Sequence, residues 1–144
     1  MDKNTLYCNK DMIELKEFDV DFLLSLLNAQ ETYTEFSGIM VEHIIYGNTG
    51  YYEGNRFGVV CMTQYCDNYF FDAYKDPNVR VPIRTGLQIG KIFLDSFIKD
   101  FNAKKIYSVH LITNRLATIA LKKLGFEVIQ QDSKLIYFIK YIKE

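Results

Sequence analysis

The sequence predicts an α/β fold of the mixed α+β kind: a central, largely antiparallel mixed sheet flanked by helices. Three observations point to it. From about Ile44 to Tyr74, β-branched and aromatic residues are interrupted by turn formers, the texture of consecutive hairpin strands. Beyond Leu87 the pattern changes to helix, strand, helix and a closing hairpin. No Pro/Gly/Ser-rich linker, repeat or low-complexity tract divides the 144 residues, so 1–144 reads as one domain.

The elements follow in order. Met12-Ile13-Glu14-Leu15 reads as a first strand. A helix should start near Asp19, a good N-cap, with Asp21 in a first turn that favours negative charge. Phe22, Leu23, Leu26 and Leu27 recur at helical spacing and give it one buried face. The segment through Phe36 and Met40 fits helix and loop equally. Two strands then meet at Glu53-Gly54-Asn55, where Gly54 or Asn55 can take positive φ. A turn at Cys66-Asp67-Asn68 leads to a strand ending at Tyr74, and Asp76-Pro77-Asn78 stops it because proline donates no ladder hydrogen bond.

Ile89, Phe93, Phe97 and Phe101 form a helical stripe from about Leu87 to Asn102. Ile106 to Ile112 is a strand. Asn114 to Leu124 is a second helix with Leu116, Ala117, Ala120 and Leu124 on one face, closed by Gly125 as C′ residue. Phe126 to Ile129 and Leu135 to Ile142 form the last hairpin. The expected order is β-α-(α)-β-β-β-α-β-α-β-β.

Composition narrows the function. With 49% hydrophobic and 24% charged residues the chain is no disordered segment. No apolar run approaches the roughly 20 residues of a membrane span, so no membrane partner is expected. A polar N-terminus unlike a signal peptide points to a cytoplasmic protein. The net charge of -1 argues against nucleic acid as a partner. That balance hides an asymmetry. Residues 1–72 carry 4 Lys+Arg against 12 Asp+Glu, a net of -8, and residues 73–144 carry 13 against 6, a net of +7. The split suggests an anionic ligand on one side and a cationic one on the other. Cys8, Cys61 and Cys66 read as reduced and mostly buried, and His43 and His110 lie too far apart to suggest a metal site.

The stretch Arg84-Thr85-Gly86-Leu87-Gln88-Ile89-Gly90-Lys91 reads as a glycine-bearing turn into a helix. Unpaired N–H groups at a helix start attract anions, glycines let backbone approach a ligand, and Arg80, Arg84 and Lys91 supply charge. It is not a Walker A loop. Three residues rather than four separate Gly86 from Gly90, and Ile92 stands where Ser or Thr would hold magnesium. No G-x-G-x-x-G is present either.

Asn114-Arg115-Leu116-Ala117-Thr118-Ile119-Ala120-Leu121-Lys122-Lys123-Leu124-Gly125-Phe126 resembles the late helix of the GNAT superfamily of N-acetyltransferases, which runs from an asparagine to a closing Lys-Leu-Gly-Phe. Thr85 to Leu94 is similar to that family's acyl-CoA loop, Gln/Arg-x-x-Gly-x-Gly/Ala, and Asp76-Pro77 matches the usual end of its fourth strand. The likeness runs from about Met12 to Ile142. It implies a GNAT-like fold and acetyl transfer from acetyl-CoA, as cosubstrate, to a primary amine. The acceptor would be a small amine, a polyamine, or a protein lysine or N-terminus.

By matched position the resemblance assigns the phosphates to Gln88, Ile89, Gly90 and Lys91, with Arg84, Thr85 and Gly86 ahead of them. The pantetheine arm would pair with Asp72, Ala73 and Tyr74 and meet Asn114. The sequence also departs from the pattern. Thr85 replaces the usual Gln or Arg, Gln88 replaces the first glycine, and Val81-Pro82-Ile83 is inserted. The position of the usual general-acid tyrosine is Leu121.

Candidates for the chemistry are therefore Asp72 as base, its carboxyl raised by apolar neighbours Phe70 and Phe71, and Tyr107 or Ser108 on the following strand. Period-2 alternation puts Ser108 and His110 on one face and Tyr107 on the other. A single strand histidine reads as structural, and Tyr137 and Tyr141 read as packing. The rival expectation is a GNAT-fold binding or regulatory module without catalysis, acting through CoA or a protein partner. Sequence leaves the oligomeric state open, with a homodimer one candidate.

Overall fold

The computed structural model describes residues 5–8, 12–28 and 41–143. One eight-stranded sheet organises them. In chain order its strands are β1 (Thr5–Cys8), β2 (Ile13–Glu17), β3 (Ile44–Tyr52), β4 (Asn55–Tyr65), β5 (Asn68–Lys75), β6 (Lys105–Leu111), β7 (Glu127–Gln131) and β8 (Leu135–Tyr141). The helices are α1 (Val20–Asn28), α2 (Ile83–Phe101) and α3 (Arg115–Lys123). The spatial order is β1-β2-β3-β4-β5-β6-β8-β7, antiparallel throughout except between β5 and β6. The mixed sheet flanked by helices expected from the sequence is the one that forms.

Local chemistry explains the joints. Asp19 caps α1, its Oδ1 accepting from the Phe22 N–H at 3.0 Å. The β3–β4 and β4–β5 connections each hold two residues at positive φ, Glu53-Gly54 and Cys66-Asp67, the primed geometry that matches strand twist. Gly54 takes the positive φ expected of Gly54 or Asn55, and Glu53 joins it. Cys66 sits in the expected turn but is exposed, while Cys61 is buried in β4. After β5, Asp76 Oδ1 accepts from the Asn78 N–H at 2.9 Å and turns the chain away from the sheet.

Helix α3 ends in a Schellman motif. The Phe126 N–H reaches Leu121 O and the Gly125 N–H reaches Lys122 O, with Gly125 at φ +94°. Leu121 and Phe126 then share the same apolar cluster, so the cap also anchors the helix.

Each sheet face carries a core. Helix α2 presents Ile89, Phe93, Leu94 and Phe97 to one face, where Phe71, Ile106 and Phe138 meet them. Tyr46 and Tyr69 pack edge-on against Phe97 and Phe101 at this end. Helix α1 covers the opposite face with Phe22, Leu23, Leu26 and Leu27 over Val59.

Three expectations change. Strand β1 was not foreseen, because four residues between polar stretches carry too little periodicity to read. Helix α2 starts at Ile83, one turn before Leu87, so Arg84-Thr85-Gly86 is helix and not turn. Pro82 provides the start, since its fixed φ suits a helix entry, and buried Thr85 and Ile89 offset the cost of Gly86. The apolar face read on α3 is not buried as a whole: Leu116 is 68% exposed and Leu121 is the buried residue. The Phe36 and Met40 segment lies outside the described residues.

Candidate functional site

The site begins where the sheet opens. Strands β5 and β6 are parallel neighbours, yet Phe70 with Tyr107 is their single registered pair among the described residues. Just beyond it the Ser108 hydroxyl donates to Phe71 O at 2.8 Å and closes the contact. Phe71 therefore turns its main-chain polar groups toward β6, and strand alternation turns those of Ala73 the same way. At Ala73 the neighbouring strand has diverged. Ala73 is exposed although β5 has strands on both sides. The result is a main-chain edge in mid-sheet, with no registered β6 partner at Ala73 among the described residues.

Into this gap opens a groove of about 640 Å³. Its floor is Phe57, Phe71 and Ala73 of the sheet. One wall is the first two turns of α2 with the preceding Val81 and Pro82, and the other is α3. Leu116, Ala117, Ala120 and Leu124, the face read from sequence as core, all line it. That face is apolar because it borders the groove.

Helix α2 aims its N-terminus at the same space. Pro82 offers no side-chain acceptor, so the N-cap residue leaves the first-turn N–H groups uncapped at the positive end of a 19-residue helix. The two glycines differ in role. A Cβ at Gly86 would meet nothing within 4 Å, so its bareness keeps the groove mouth open. A Cβ at Gly90 would lie 3.0 Å from Leu124 Cδ1, so this glycine lets α2 and α3 pack closely.

The sequence-derived candidates divide accordingly. Ala73, Tyr74, Gly86, Ile89, Gly90 and Asn114 line the groove. Asn114 also caps α3, its Oδ1 accepting from the Ala117 N–H at 3.1 Å. Thr85 is buried, while Arg84 and Gln88 are exposed away from the groove lining. Lys91 pairs with Asp95 at 3.6 Å beside a smaller cleft of about 290 Å³ that Lys123 and Lys140 also border. The reason is shared: once the turn is helical, one face of it (Ile83, Gly86, Leu87, Ile89 and Gly90) borders the groove, and Arg84, Gln88 and Lys91 fall outside that face.

The catalytic candidates fall on two sides of the gap. Asp72 faces the α1 side with 8% exposure, directly across from Cys61 of β4. No hydrogen bond or ion pair holds it among the described residues, and burial raises its pKa from 3.8 to about 8. The same carboxyl adds to the burial that pushes the Cys61 thiol up. Tyr107 shares that face and packs on Phe70, with ring centroids 5.7 Å apart. Ser108 faces the groove side, fully buried.

Sequence reasoning passed over His110. Its Nε2 lies 2.9 Å from Ser108 Oγ, its ring lines the groove, and burial lowers its pKa to about 4. The i, i+2 spacing of Ser108 and His110 was visible in the sequence. What it could not show is that the strand beside them diverges there.

No protein-family model matches the sequence, and no curated protein matches it. Solved structures do resemble the fold. An acetyltransferase of Bacillus subtilis in complex with CoA aligns at a TM-score of 0.69 with 14% identity, covering 91% of this chain and 98% of that one. Campylobacter jejuni N-acetyltransferase PseH with acetyl coenzyme A aligns at 0.65 with 13% identity, covering 91% and 99%. A GNAT-family acetyltransferase of Bacillus anthracis aligns at 0.68 with 8% identity, covering 95% and 98%. The chain thus has the GNAT acetyltransferase fold, as its late helix suggested. Among the described residues, no helix is long and apolar enough to cross a membrane.

Proposed function

We propose that this chain is an acetyl-CoA-dependent N-acetyltransferase that acts on a primary amine. One observation carries the reading: the parted β5 and β6 leave the Ala73 main chain facing a groove into which an uncapped helix start also opens. An amide-bearing arm ending in phosphates fits that pair of features. Its amides would continue the ladder at Ala73, and its phosphates would take the N–H groups of the first α2 turn beside open Gly86. When bound, acetyl-CoA supplies the activated acyl group. The surrounding chain excludes water and orients it.

Asp72 suits the amine side. It lies on the α1 face, within the net -8 half of the chain, and once ionised, with its pKa raised to about 8, its carboxylate can take the proton of an incoming ammonium before attack. A cationic acceptor would be attracted to that side.

The test is calorimetric titration with acetyl-CoA, followed by thiol-release assays across small amines, polyamines and lysine peptides. Binding with turnover supports the proposal, and no binding at millimolar acetyl-CoA overturns it. One observation favours a second reading, a non-catalytic CoA-binding module. Leu121, which stands where the resemblance places an acidic tyrosine, is 3% exposed and carries no proton. Binding without thiol release for any amine would select that reading.

A further inference from the structure

His110 carries an unexplained vacancy for a hydrogen bond. Ser108 has one hydroxyl proton, and Phe71 O, a carbonyl that only accepts, takes it at 2.8 Å. The 2.9 Å contact between Ser108 Oγ and His110 Nε2 must then run the other way, with Nε2–H donating. That fixes the tautomer and leaves Nδ1 as a bare lone pair. Nδ1 is fully enclosed and has no hydrogen-bond partner among the described residues. Buried acceptors are nearly always satisfied, so a donor is expected to arrive from outside the fold. The groove is where it would come from, since His110 lines it together with Leu121.

We infer that His110 Nδ1 is the proton-transfer group of the groove, taking a proton from the acceptor nitrogen and passing it to the departing sulfur. This rests on the acetyl-transfer reading. As the C–N bond forms and the C–S bond breaks, one N–H proton moves to Nδ1 and then to sulfur, leaving an amide, a thiol and the ring unchanged. The relay supplies what Leu121 lacks.

The surroundings suit it. The Ser108–Phe71 bond holds the ring in place, and burial rather than any charged neighbour lowers its pKa, so the lone pair is free at neutral pH. A proton held there briefly is given up readily to a thiolate.

His110→Gln tests the inference. The Gln amide can still donate to Ser108 Oγ, while the basic Nδ1 is gone. With acetyl-CoA affinity within about threefold of the unaltered chain, kcat should fall about 100-fold or more, the usual worth of acid–base catalysis. Ser108→Ala, which keeps the ring but frees the tautomer, should lose a smaller part of kcat. A nitrogen-15 NMR measurement of the ring gives a readout independent of turnover. Nε2 should be protonated and Nδ1 pyridine-like in the unliganded protein, and the Nδ1 signal should move when CoA is added.

A variant with unchanged kcat, a variant that weakens binding while kcat holds, or a protonated Nδ1 would each overturn the relay alone. Unaltered protein that binds acetyl-CoA without turnover removes the relay and leaves the binding reading. Unaltered protein that fails to bind acetyl-CoA removes both.

Discussion

Asp72 and His110 are buried titratable groups shifted in opposite directions, and their opposition predicts an unusual dependence of stability on pH. Asp72 has a folded pKa of about 8 against an ordinary 3.8. The native state keeps its proton while the unfolded chain loses it. Its contribution is therefore whole below about pH 4 and declines as pH rises to about 8, by about 1.4 kcal/mol per unit. His110 has a folded pKa of about 4 against 6.5. Its contribution is whole above about pH 6.5 and declines as pH falls toward 4. Between about pH 4 and 6.5 the two slopes cancel, and from about 6.5 to 8 only the Asp72 decline remains, about 2 kcal/mol in all.

Replacing Asp72 by Asn, an isostere of the protonated acid, removes one slope. D72N should be about 4 kcal/mol more stable than the unaltered chain near pH 7, losing about 3 kcal/mol as pH falls from 6.5 to 4. Urea unfolding at about pH 4.5, 6.5 and 8.5, with linear extrapolation, measures this directly. Curves for D72N and the unaltered chain that run parallel across the range would refute the reasoning. The proton on Asp72 would then be no different in the two states.

Three further outcomes follow from the packing. Gly86→Leu should leave stability unchanged or up to about 1 kcal/mol higher, since leucine is the better helix former and the Cβ meets nothing. It should nonetheless weaken acetyl-CoA binding at least about tenfold by titration, because the side chain fills the groove mouth. Phe97→Ala removes a ring with 0% exposure that packs against Tyr46, Tyr69 and Phe101, and should cost about 3–5 kcal/mol in chemical denaturation. Asn114→Ala should cost about 1 kcal/mol through loss of the α3 cap, with a loss of acetyl-CoA affinity if the same side chain meets the arm.

Element types and their joints were legible wherever one local rule decided them. Asp19 caps α1, Asp76-Pro77 ends β5, and Gly125 closes α3 because a side-chain acceptor, a missing N–H and a positive φ each act within a few residues. The site was legible only in part. The main-chain positions at Ala73 and Tyr74 and the glycines of α2 came from a motif, and they line the groove. Gln88 and Lys91 came from the same matched loop, with Arg84 just ahead of it, and helical rotation carries all three out of the groove lining. The apolar face of α3 misled for a related reason, because periodicity marks a face away from water without saying what covers it.

The sequence by itself determined the hairpins, the three helices and the aromatic face of α2, since propensity, period and capping are properties of neighbours along the chain. Its split charge also marked a basic half holding the helix entry. Only the tertiary structure decided that β5 and β6 part after Phe71, that Asp72 is enclosed with no partner among the described residues, and that Ser108 fixes the His110 ring. The first and the last turn on the contact between Phe71 and Ser108, 37 positions apart, whose meeting follows from the packing of the sheet and leaves no local trace.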